Sequence, residues 1–173
     1  EAAEILDAYQ GKSADETSEM WLVSGDDKED LKRLEEHLRQ GKHALWLLPK
    51  RQEALSLLDQ KIQIKSCGDL FFAAADGAYG SYPLGMLYNA KKDYIDATAD
   101  HTIQTEFSGE TLIYTYDKSG FQGSKGAKPH RAFVKKCSAE GGTLILCSLA
   151  REGRVGYNIG LDELLLDLLE QEG

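Results

Sequence analysis

Residues Met20–Pro49, MWLVSGDDKEDLKRLEEHLRQGKHALWLLP, decide the reading of the fold. They open with a short apolar run, Met20 to Ser24, that ends at Gly25 and reads as a strand. Asp26 and Asp27 follow as N-cap candidates. Glu29 or Asp30 then sits in the first turn, where acidic groups meet the positive end of the helix dipole. Leu31, Leu34 and Leu38 recur at helical spacing, and Gly41 supplies a helix stop. His43 to Leu48 is apolar again, and Pro49 breaks it. Strand, helix, strand is the sequence form of a parallel sheet covered by helices.

Downstream, Lys50 to Gln60 carries Ala54, Leu57 and Leu58 on one face and predicts a second helix. Ile62, Ile64 and Leu70 to Ala74 predict one or two further strands. Continuous apolar strands such as Ala44–Leu48 and Leu70–Ala75 suit a sheet buried on both faces. Asp76 to Asn89, rich in Gly and Tyr, reads as an ordered loop. Thr111 to Tyr116 reads as a strand, and Phe121 to Lys128 as an exposed turn. Ala132 to Lys136 and Thr143 to Leu149 flank Glu140-Gly141-Gly142, a hairpin signal. Asn158 can cap a last helix with the stripe Leu161, Leu164, Leu165, Leu168 and Leu169. Upstream, Ile5, Leu6 and Tyr9 share one helical face, and Gly11 to Glu19 reads as a polar loop.

The 173 residues suit a single domain with a core of its own. With 29 acidic against 20 basic side chains the formal charge is −9, which disfavours nucleic acid and anionic membrane as partners. No apolar run is long enough to cross a bilayer. Cys67, Cys137 and Cys147 form neither a disulfide framework nor a zinc pattern. They read as free thiols, which points to a reducing, cytoplasmic compartment.

Motifs for chemistry are sparse. Gly77-Ala78-Tyr79-Gly80 follows an apolar strand but lacks the G-x-G-x-x-G spacing, and no phosphate loop is present, so no cofactor is expected. His37, His43, His101 and His130 have no partners at metal-ligand spacing, so no metal is expected. His37 reads as exposed on the charged side of its helix. His130 belongs to a basic group with Lys125, Lys128, Arg131, Lys135 and Lys136, read as a solvated strand edge. No G-x-S-x-G or G-x-C-x-G elbow exists. Asp26 and Asp27 occupy the helix N-terminus, and their charge disfavours the anion that such a terminus can hold.

Three segments resemble class I glutamine amidotransferase-like domains attached to bacterial glycoside hydrolases of the β-galactosidase type (family 2). They are WLVSGDDKEDLKRLEEHLRQGKHALWLLP, YPLGMLYNAKKDYIDATAD and AFVKKCSAEGGTLILCSLAREGRVGYNIGLDELLLDLLEQ. The resemblance runs from Met20 to the end. It implies an α/β, flavodoxin-like and amidotransferase-like three-layer fold. A mostly parallel sheet would carry helices on both faces and an antiparallel hairpin near the C-terminus. The family's catalytic residues do not carry over: its nucleophilic Cys belongs at the turn that here reads Leu48-Pro49-Lys50, and no His follows His130. A thiol without a base or an elbow is not an activated nucleophile.

The expectation is therefore a non-catalytic accessory domain, a fragment of a longer chain whose β-glycoside chemistry sits on a separate barrel. Its partners would be other domains of that chain, with homo-oligomer contacts or carbohydrate as further options. Two alternatives are open. A sugar or small-molecule binding module would use Tyr79, Tyr82, Tyr88 and Tyr94, whose aromatic faces can stack on sugars. A stand-alone doubly wound hydrolase would place its site beyond the carboxyl ends of the strands, near Asp26, Lys50, Asp76 and Arg151.

Overall fold

The computed structural model describes residues 19–49, 53–66, 73–75, 79, 97–98, 101–116, 129–151 and 159–172. The expected helix over 2–9, the turn over 121–128 and the Asn158 cap lie outside them, as do most of the loops over 11–19 and 76–89.

The deciding stretch folds as read. Strand β1 (Met20–Ser24) leads into helix α1 (Lys28–Arg39), and strand β2 (His43–Leu47) follows. Asp27 is the N-cap, its side chain accepting from the Glu29 N–H at 2.9 Å. Gly41 exits the helix at φ +78°, a conformation that disfavours any side chain. β1 and β2 pair in parallel, Met20 against His43 through Ser24 against Leu47. The indole N–H of Trp46 donates to the Gly25 carbonyl at 2.8 Å, locking β2 to the turn beyond β1.

Beyond β2 the fold departs from the expectation. Leu57 and Leu58 do not lie in a helix. β3 (Leu55–Leu57) and β4 (Gln60–Ser66) form an antiparallel hairpin, turned by Leu58 (φ 50°) and Asp59 (φ 59°). Two consecutive left-handed residues make a turn whose twist matches the strands it joins. The remaining strands are β5 (Ala73–Ala75), β6 (Ala97–Thr98), β7 (His101–Thr105), β8 (Gly109–Tyr116), β9 (Pro129–Ala139), β10 (Gly142–Cys147) and β11 (Ala150–Arg151). Helix α2 (Ile159–Glu172) closes the chain. The main sheet runs β1-β2-β10-β9-β7-β4-β3, with β8 also on β9 and β5 on β8; β6 and β11 pair separately.

This overturns the mostly parallel, flavodoxin-like three-layer expectation. The sheet is mixed and curls into a half-barrel, with two helices among the described residues. Among the described residues only β1, β2 and β10 pair in parallel; the other pairings are antiparallel. The reason lies in the connections. Parallel neighbours need a long crossover, whereas the turns 58–59 and 140–141, which join β3 to β4 and β9 to β10, are short enough only for antiparallel pairs.

β9 is the hinge of the architecture and not a solvated edge. One side takes β10 along Val134–Ala139, and Ala132 pairs with Ile103 of β7; β8 also lies along β9. Lys135, expected to guard an edge, instead donates from Nζ to the Phe107 carbonyl at 2.8 Å.

Two cores lie on opposite faces of β2 and β10. Leu45, Leu47, Ile145 and Cys147 pack with Leu164, Leu165 and Leu168 of α2. Ala44, Trp46, Leu144 and Leu146 pack with Leu34 and Leu38 of α1 and with Leu57, Ile62 and Ile64 of the hairpin. The uninterrupted apolar run Ala44–Leu48 thus reads correctly as a strand buried on both faces. Gly142 makes the close packing at the start of β10 possible: a Cβ there would run into the Lys42 carbonyl oxygen.

Candidate functional site

Among the described residues, two places carry groups that could do chemistry. The first is the edge formed by the carboxyl ends of the parallel strands. The register aligns Ser24, Leu47 and Cys147 across β1, β2 and β10. Asp26 follows β1 and is half-buried, with Oδ2 shut away from solvent. Arg151 lies in β11, opposite Ala97. Lys50 and Asp76 lie outside the described residues, so the predicted pocket is not assembled among the described side chains.

The groups at this edge are committed to structure. The N–H of Leu48 donates to the Cys147 carbonyl at 2.8 Å. Ser148 is 2% exposed, and its hydroxyl bonds to the backbone carbonyls of His101 (2.7 Å) and Phe133 (3.2 Å). These are carbonyl acceptors, not a base that could activate a serine. Cys137 and Cys147 are free and buried. Burial pushes the Cys137 thiol up to about 11, against a smaller opposing pull from Lys135. Among the described residues no group of three or more His, Cys, Asp or Glu side chains could hold a metal ion. No described helix is long and apolar enough to cross a membrane.

The second place is a cleft of about 150 Å³ between β1 and α1, lined by Trp21, Arg33, Glu36, His37 and Gln40. The four helix residues share one face because they are spaced i, i+3, i+4 and i+7. Trp21 reaches that face from β1, the terminal strand of the sheet. Its ring stacks on His37 with centroids 3.8 Å apart and planes 16° from parallel. The Arg33 guanidinium lies over the same indole, 5.9 Å from its centroid.

His37 is not exposed, as its charged neighbours suggested, but 2% exposed. Its Nε2 donates to the His43 carbonyl at 2.9 Å. Burial lowers its pKa below 6.5; the bond to His43 opposes this, and the nearby Lys42 charge adds to it. His43 in turn accepts the Thr143 N–H on Nδ1 at 3.1 Å, which places the proton of a neutral ring on Nε2.

Of the predicted aromatic contacts, Tyr79 is 3% exposed and sits in the α2-side core, so it offers no stacking face. Tyr82, Tyr88 and Tyr94 lie outside the described residues. The aromatic residue that does line a cleft is Trp21, its ring stacked on His37. The spacing Arg33, Glu36, His37, Gln40 was visible in the sequence, but its meeting with Trp21 depends on how α1 crosses the sheet.

No family model matches the chain, and no curated protein matches it.

Proposed function

We propose that the chain is a non-catalytic accessory domain of a multidomain glycoside hydrolase acting on β-glycosides. The carboxyl end of β2 carries the reading. The resembled amidotransferase domains keep a nucleophilic Cys at this turn; here the positions are Leu48 and Pro49, and the Leu48 N–H is bonded to Cys147. The thiols of Cys137 and Cys147 sit in the cores, and burial pushes the Cys137 thiol up to about 11, which opposes the thiolate that attack would need. The reading rests on the resembling segments and on this chemistry, not on the sheet topology.

The terminal strand adds support. Met20, Trp21, Leu22 and Val23 are each half-buried, on both faces of β1. A strand of this composition at the end of a sheet suits a module with neighbouring domains beside it.

The test compares the natural full-length gene product with the isolated 173-residue chain, using aryl β-glycosides, glutamine and aryl esters. The expected outcome is glycoside hydrolysis by the longer protein and no turnover of any substrate by the isolated chain. Turnover by the isolated chain, or a gene that encodes these residues alone, sinks the reading.

A further inference from the structure

We draw no further inference here: the strongest candidate, the apolar strand β1 at the end of the main sheet, half-buried from Met20 to Ser24 beside the cleft that Trp21 lines, carries nothing because nothing in the structure shows what covers it.

Discussion

Glu35 accepts the backbone N–H of Leu58 on Oε1 at 2.8 Å, fastening helix α1 to the turn between β3 and β4. Leu58 and Asp59 both hold positive φ without being glycine, so the turn needs outside support. Glu35→Ala should leave that partly buried N–H unpaired and cost about 1–2 kcal/mol, read as a lower urea midpoint. Glu35→Gln, which keeps an acceptor oxygen, should recover most of the loss. Arg39 also pairs with Glu35 at 3.7 Å, but its side chain is 56% exposed. Arg39→Ala should therefore cost under about 0.5 kcal/mol. Equal losses for Glu35→Ala and Arg39→Ala would assign the role to the ion pair instead.

The β9–β10 turn makes a second prediction. Glu140 (φ 50°) and Gly141 (φ 90°) form the same two-residue left-handed turn, for which Asn-Gly is the favoured pair. Glu140→Asn should raise the thermal midpoint, by the equivalent of about 0.5 kcal/mol, and Gly141→Ala should lower it by about 1 kcal/mol. Gly142→Ala should be worst, at about 2 kcal/mol or more, because its Cβ meets the backbone of Lys42 and not a movable side chain. A neutral Gly142→Ala would mean that β10 and the α1–β2 turn are further apart than described.

The thiols supply a third. In a Cys67→Ser background, Cys137 and Cys147 should resist an aromatic disulfide reagent at pH 8 in the native protein. Both should titrate fully once urea unfolds the chain. Burial of both residues, and a Cys137 pKa of about 11, predict this. Rapid labelling of either in the native state would contradict the core placement.

His37 gives the protein a pH dependence of definite sign. Burial favours the neutral ring, so its folded pKa lies below the usual 6.5. The unfolded chain then binds the proton more readily than the folded one. The stability contributed by neutral His37 is fully present above pH 6.5 and is lost as pH falls through the folded pKa. Unfolding midpoints measured downward from pH 7.5 should decline in this window, and His37→Phe, which keeps a ring against Trp21, should decline less. An equal decline in both proteins would place the sensitive group elsewhere.

The segments read correctly are those whose signals are local. β1, α1 and β2 each announce themselves within a few residues: an apolar run, an Asp27 cap, leucines at helical spacing, Gly41 and Pro49 as stops. The Glu140-Gly141 turn is equally local, and so is the leucine stripe of α2, whose Leu164, Leu165 and Leu168 are buried as expected. The helix expected over Lys50–Gln60 shows how such signals mislead. Ala54, Leu57 and Leu58 fit a helical face, yet Leu57 packs beside Ile62 and Ile64 in a sheet.

By itself, then, the sequence determined the βαβ opening, the C-terminal hairpin and helix, and the lack of a cysteine after β2, because these depend on neighbouring residues and backbone preference. Only the tertiary structure decided that β4 pairs with β7, that β9 is central, that His37 is buried and that Trp21 lines a cleft. Each of these depends on a partner remote in sequence: Ile64 meets Ile103 and Ala132 meets Ile103. Pairing energy between distant segments overrides the weak local preference of a short stretch, and no window of a few residues contains it.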